Sequence, residues 1–407
     1  MLLFVDSAKT TPGSSQIRFW SRGPVVGRLD SGRRGGLVPG DGSKASGCTG
    51  GRVETLMEFS HESVVVRRGR RSRLPIVVAV HSTALGRAVG GCRMWAYDSW
   101  EDGLRDALRL SEGMTRKCAA AGLPNGGGKT VVVVPTGRSV TADERRAALH
   151  DVGDIVAELG GAYVTGPDAG TGPADMAVIG ERTEYVFCRP EAAGGSGDPS
   201  PFTALGVVAA LRSTCLALFG SPTLAGRRFA VIGLGHVGEQ IARQLAAAGA
   251  DLVLSDVDPA KRSLGAELGA VFAEPDAAAT AEVDVLVPAA LGGLLTRDLV
   301  ARLRCGAVAG AANNQLADPG VAELLREREI LWAPDYIANA GGVVNAVSRE
   351  VLGDEPEEAV KRIESIADTL TGLFDTAART KITTAQAADD LARQRLAAPM
   401  STAPGSA

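Results

Sequence analysis

The stretch VIGLGHVGEQIARQLAAAGADLVLSDVD (231–258) decides the architecture of the second half of the chain. Gly233, Gly235 and Gly238 form G-x-G-x-x-G, a weak pattern when met alone. Its setting carries the reading. An apolar strand-like run precedes it, an amphipathic helical run follows, and a second strand-like run, ADLVLSD, ends in an acid. Asp256 stands 18 residues past Gly238, close to where a ribose-binding carboxylate belongs. The glycines permit a tight turn and close backbone approach, so a pyrophosphate can sit on the helix N-terminus and its partial positive charge. A carboxylate at 256 repels a 2′-phosphate, so the expected cofactor is NAD rather than NADP. This half reads as a Rossmann domain.

Working outward, strand–helix alternation runs from about 227 to 335, after a helix near 202–219, and the segment 342–397 reads as helical throughout. On the other side of the Gly/Ser/Pro-rich linker AAGGSGDPSP (192–201) lies a second β/α unit. In it ESVVVRRG (62–69) and LPIVVAVH (74–81) read as a strand hairpin. SWEDGLRDALRLSEGMTRKCAAAG (99–122) reads as a helix with Ser99 as N-cap, Asp102 at the capping-box position and Gly122 as its stop. TVVVVP (130–135) is a buried strand, 141–160 a helix and GAYVTG (161–166) a further strand. The expected fold class is α/β, two domains with a cleft between them. The boundaries are an extension at 1–56, a substrate-binding and catalytic domain at 57–195, the NAD domain at 202–340, helices packing back toward the first domain at 341–397, and a tail at 398–407.

Composition excludes several function classes. The chain is 45% hydrophobic and 22% charged, with a net charge of -4, so no overall field invites a nucleic acid or a membrane. No run approaches the roughly 18 apolar residues of a membrane span. Six cysteines (48, 92, 118, 188, 215 and 305) lie far apart, and the four histidines are unclustered. That argues for reduced thiols and no metal site. Cytoplasmic is the expected location. Residues 1–52 are Gly/Ser-rich and carry eight Lys or Arg against three Asp, without helix or strand period. They read as a disordered extension rather than a basic arm, or as sequence ahead of a start at Met57.

The first domain must supply a reaction for the dinucleotide. GLPNGGGKT (122–130) invites a phosphate-loop reading, but G-x-x-x-x-G-K-[ST] needs glycine at 123, where Leu123 stands, and the strand follows the lysine instead of preceding it. Three glycines in a row are entropically unfavourable on an ordinary surface loop, and they remove side chains that would shield a ligand from Lys129. Lys117 and Asp168, in TGPDAGT, are the other candidates.

GGCRMWAYDSWEDGLRDALRLSEGMTRKCAAAGLPNGGGKTVVVV (90–134) closely resembles the leucine, phenylalanine and valine dehydrogenases of the amino-acid dehydrogenase family. YVTGPDAGTGPADM (163–176), GAANNQLADPG (310–320) and APDYIANAGGVVNA (333–346) extend the match from about Met57 to about 397. TGPD, the LP before GGGK, and REVLG (349–353) are most similar to phenylalanine dehydrogenase. The resemblance implies that Lys117 holds the substrate carboxylate, aided by the backbone of Gly90 and Gly91 and the amide of Asn314. It makes Lys129 the base that activates water. Asp168 would handle proton transfer at the amine nitrogen, which the carbonyl of Pro167 also faces. Cofactor contacts fall to Thr203, Gly233, Gly235, His236, Val237, Gly238, Asp256 and Asn313, where leucine-type members carry Asp. A homo-oligomer is implied as well. A general base must release its proton at neutral pH, which requires surroundings that disfavour the ammonium.

The implied side-chain pocket comprises Val89, Gly166, Val343 and Ala346. Glutamate-specific relatives place lysine and serine where Val89 and Ala346 stand, so a second carboxylate finds no partner here. Leucine-type members have Ala and Val where Gly166 and Ala346 stand, which predicts a larger pocket and a preference for phenylalanine. A leucine or valine dehydrogenase is the alternative. A 2-hydroxy-acid dehydrogenase and a non-catalytic NAD sensor are the remaining rivals. The first needs a His/Arg/acid set that is not found, and the second leaves both lysines and the aspartate without a purpose.

Overall fold

The computed structural model describes residues 60–398. The expectations for 1–56 and for most of the tail therefore lie outside the described residues. Two sheets flank a cleft. The first comprises β1 (Ser63–Arg68), β2 (Pro75–Ser82), β3 (Ala88–Tyr97), β4 (Gly126–Pro135) and β5 (Tyr163–Pro167), in the order β1-β2-β4-β3-β5. β1 and β2 form the expected antiparallel hairpin, β2 also runs antiparallel to β4, and β3 is parallel to both β4 and β5. β3 was not foreseen as a strand, because its glycines and arginine mask the alternation.

The run VVVV in β4 is apolar on both faces because helices cover both. Val131 and Val133 meet Ala107 of α1 (Trp100–Ala120), while Val132 and Val134 join Ala148, Leu149 and Val152 of α2 (Ala142–Glu158). Each such burial stabilises by about 1.5–3 kcal/mol. α1 starts with the expected capping box, Ser99 and Asp102 each bonding the other's backbone N–H. It ends at Ala120, and Gly122 follows at φ 69 as the stop signal predicted.

After α3 (Pro173–Gly180), α4 (Ser200–Phe219) leads into the second sheet. By length and composition α4 is apolar enough to cross a membrane, contrary to the expectation that no run approaches that length. Its buried residues, among them Val207, Ala210 and Leu211, belong instead to the largest apolar core. The second sheet contains β6 (Arg228–Ile232), β7 (Asp251–Ser255), β8 (Val271–Phe272), β9 (Val285–Pro288), β10 (Ala307–Val308) and β11 (Leu331–Trp332), in the order β11-β10-β9-β6-β7-β8 and parallel throughout. The α5 helix (His236–Ala247) follows β6 directly, which completes the Rossmann unit. The last helix, Thr384–Ala397, returns to α1, where Arg395 donates to the terminal carbonyls of Ala119 (3.1 Å) and Ala120. The Ala119 carbonyl also accepts from the Gly122 N–H at 3.0 Å, and the guanidinium adds a charged cap to the C-terminal turn.

Candidate active site

The cleft between the sheets has a volume of about 570 Å³ and brings Lys117, Lys129 and Asp168 from the first domain to His236 and Val237 of the second. β4 seats Lys129. The glycines before it are strand, not loop, and their lack of side chains serves packing. A Cβ at Gly126 would stand 1.8 Å from the Ser82 carbonyl, one at Gly127 2.1 Å from the Thr115 nitrogen, and one at Gly128 2.5 Å from the Tyr163 ring. None of the three lines the cleft. The expectation that they clear a path to the lysine is corrected: they let β4 press against its neighbours and so fix Lys129.

Lys129 is 5% exposed, and its Nζ lies 2.7 Å from Asp168 Oδ2. The same oxygen accepts from Arg93 Nε at 2.8 Å, and Arg93 Nη1 reaches Asp106 Oδ2 at 2.8 Å. Burial by itself pushes the Asp168 carboxyl up, but the charges of Lys129 and Arg93 outweigh it and hold the group well below the usual carboxylate range. Asp168 is therefore held ionised between the two cations. Gly91 permits this approach, since a Cβ there would stand 2.6 Å from Asp168 Cβ. Arg93 escaped the sequence reading. The signal was its place two residues past Gly91, on the same face of a strand.

Lys117, on the last turn of α1, donates to Asn339 Oδ1 at 2.7 Å and lies 3.5 Å from Asn313 Oδ1. Asn339 in turn donates to Asn313 Oδ1 at 2.8 Å and to the Ala311 carbonyl at 3.0 Å. Burial pushes the Lys117 ammonium down, with the buried carboxylate of Asp335 pulling the other way. A carboxylate arriving in the cleft compensates that charge directly. Asn313 is thus on the Lys117 side of the cleft. Asn314, expected to offer its amide to the substrate, is exposed at φ 52 and does not line the cleft. Gly90 and Gly91 do line it. The β3–β4 register passes from Val89↔Gly127 to Cys92↔Thr130, which leaves both glycines off that ladder.

The side-chain pocket needs a correction too. Gly166 opens no empty space, because the Phe187 ring fills it, 2.2 Å from where a Cβ would stand. Gly166 works indirectly, letting Phe187 sit back from the cleft it lines. Val343 lines the cleft as well, as does the Pro167 backbone. Val89 and Ala346 are buried in the core behind it, 0% and 1% exposed. Phe187 and Asn339 were missed because nothing local in sequence marks them.

The cofactor end fits a dinucleotide. Gly233 adopts φ 98, and a Cβ at Gly238 would stand 1.9 Å from the Gly233 carbonyl, so both glycines are needed for the turn itself. At Gly235 an added Cβ would meet open space, at the N-terminus of α5 where a phosphate gains from the helix dipole. Asp256 is fixed by the N–H groups of Leu234 (2.6 Å) and Asp258 (2.8 Å). Lys261 and Arg262, the nearest cations in sequence, are paired with Glu239 and Glu274. Thr203 lines the cleft with its hydroxyl donating to the Pro199 carbonyl at 3.1 Å. Among the described residues no group of His, Cys, Asp or Glu could hold a metal ion.

Residues 55–185 match the family model "Glu/Leu/Phe/Val dehydrogenase, dimerisation domain", and 261–403 match "Glutamate/Leucine/Phenylalanine/Valine dehydrogenase". Leucine dehydrogenase of Thermoactinomyces intermedius is 40% identical over 84% of this chain and 92% of its own length. Phenylalanine dehydrogenase of Caldalkalibacillus thermarum is 39% identical over 83% of this chain and 91% of its own length. The crystal structure of L-tryptophan dehydrogenase from Nostoc punctiforme superposes with a TM-score of 0.70, at 36% identity, over 83% of this chain and 96% of that one. With two lysines and an aspartate facing a Rossmann cleft, and with these matches along most of its length, the chain belongs to the glutamate/leucine/phenylalanine/valine dehydrogenase family.

Proposed function

We propose that the protein catalyses the NAD-dependent, reversible oxidative deamination of a hydrophobic L-amino acid to its 2-oxo acid and ammonia, with phenylalanine favoured. The carrying observation is the meeting of Lys117 with the Lys129–Asp168 pair in one cleft that continues into the Rossmann domain. Lys117, Asn313 and the backbone at Gly90 and Gly91 hold the carboxylate. Asp168 takes the proton of the amine, and the Pro167 carbonyl orients the nitrogen. Once hydride has left Cα, Lys129 takes a proton from the water that adds to the imine carbon, and Asp168 returns its proton to the nitrogen, then takes the hydroxyl proton as ammonia leaves and the carbonyl forms. NAD, when bound, accepts the hydride from Cα. The fixed carboxylate of Asp256 and the pairing of Lys261 and Arg262 favour NAD over NADP.

Substrate choice follows from the wall. Phe187 and Val343 offer only apolar surface, so a glutamate side chain would lie there ionised without a partner, at several kcal/mol. Phe187 recessed over Gly166 leaves room for a large side chain and an aromatic partner, worth about 0.5–1.5 kcal/mol beyond area for an aromatic substrate. The match to a dimerisation domain supports a homo-oligomer. The experiment is kcat/KM for Phe, Leu, Val and Glu with NAD and with NADP. Phenylalanine with NAD should lead and glutamate should be inert. A valine preference removes the substrate assignment, and no turnover with any amino acid removes the function.

A further inference from the structure

The segment REVLG (349–353) takes no part in the chemistry above, yet its geometry is unusual. Ser348–Leu352 forms one turn of π-helix directly after the helix Gly341–Val347. Such turns are rare, concentrate near functional sites and re-aim side chains. The side chain aimed here is Glu350. A single carboxylate oxygen, Oε1, accepts from the Cys188 N–H at 2.7 Å, the Ser196 N–H at 2.9 Å and the Ser196 hydroxyl at 2.5 Å. Cys188 sits at φ 57, in the left-handed region that residues with a side chain rarely adopt. The residue before it is Phe187, whose ring lies over Gly166 at the edge of the cleft.

We propose that Glu350 is a positioning residue that sets the depth of the side-chain pocket. By gathering the Cys188 and Ser196 donors on one oxygen, it holds Cys188 in the left-handed turn, and that turn keeps Phe187 drawn back over Gly166. Without the carboxylate, Cys188 relaxes to ordinary φ and Phe187 moves into the space a large substrate needs. Its meaning as a specificity device rests on the amino-acid dehydrogenase reading above.

The test compares wild type, Glu350→Ala and the double variant Glu350→Ala/Cys188→Gly. In Glu350→Ala the ratio of kcat/KM for phenylalanine to that for valine should fall at least about tenfold, the low end of what one methylene of pocket space discriminates, mainly through KM for phenylalanine. The added glycine adopts positive φ freely and should restore part of the ratio. A fall shared equally by all substrates, or no rescue by glycine, overturns the proposal in favour of a merely structural contact. A crystal structure of Glu350→Ala needs no activity and separates this failure from failure of the function. Cys188 at negative φ with Phe187 advanced into the cleft supports the proposal, even if wild type oxidises no amino acid. Phe187 unmoved refutes it, even if wild type is active.

Discussion

A methyl group added at Gly127 or Gly128 would collide with Thr115 or Tyr163, whereas one added at Gly235 would meet open space. Both stretches are glycine clusters beside the same cleft, and glycine acts differently in each. In the first sheet it closes the protein on itself, pressing β4 against α1 and β5 so that Lys129 is fixed beside Asp168. In the Rossmann sheet Gly235 leaves open space at the N-terminus of α5, where the proposed dinucleotide would approach. A glycine motif thus names a close approach, and only the neighbours tell whether protein or ligand is the one approaching.

The largest expected effect lies at the residue the first cluster serves. Lys129→Ala should fold and bind NAD while turnover drops at least about 10²-fold, as for loss of a positioned base. Lys117→Ala should act mainly on KM, through the lost contact with the carboxylate. Near-normal turnover in the Lys129 variant removes the mechanism.

Next come the glycines themselves. Gly128→Ala should lower stability by about 1–3 kcal/mol, the range for overpacking a filled site, read as a drop in the denaturant midpoint. Gly235→Ala should leave the midpoint almost unchanged and raise KM for NAD. Reversal of these two outcomes breaks the comparison outright.

The smallest effect is electrostatic. His61 and His81 stack edge to face at 4.9 Å, bonded to Ser111 and Thr115 of α1. Burial pushes both imidazoles down, with Glu112 opposing at each, Glu62 also opposing at His81, and Arg116 adding to the lowering there. A histidine whose folded pKa is depressed contributes stability above the unfolded value of about 6.5 that is lost as pH falls below it. The melting temperature should therefore decline from pH 7.5 to 5.5, and less steeply in His81→Gln. An unchanged slope in that variant would show that this pair is not the source.

Much of this was legible in the sequence, for local reasons. The Rossmann unit is written in adjacent residues, from the glycines to Asp256, and the α1 capping box needs only Ser99 and Asp102. Lys117, Lys129 and Asp168 stand in long motifs, and the structure brings all three to one cleft. What was hidden depends on register and distance. Arg93 reaches Asp168 across the β3–β5 pairing, Asn339 reaches Lys117 from 222 residues away, and Phe187 fills the place left by Gly166. Asn313 and Asn314 are neighbours in sequence, yet Asn313 lines the cleft and Asn314, at φ 52, does not. The glycines before Lys129 stand out in the sequence, but their partners Ser82, Thr115 and Tyr163 do not, because sequence does not say what lies across from them.

The central claim is that the cleft handles nitrogen at Cα, with Lys129 and Asp168 moving protons between water and amine. The most direct measurement is the reverse reaction, NADH oxidation by phenylpyruvate with and without ammonium. The account predicts that oxidation depends wholly on ammonium and that phenylalanine is the product. Equal NADH oxidation without ammonium, yielding the 2-hydroxy acid, would contradict it.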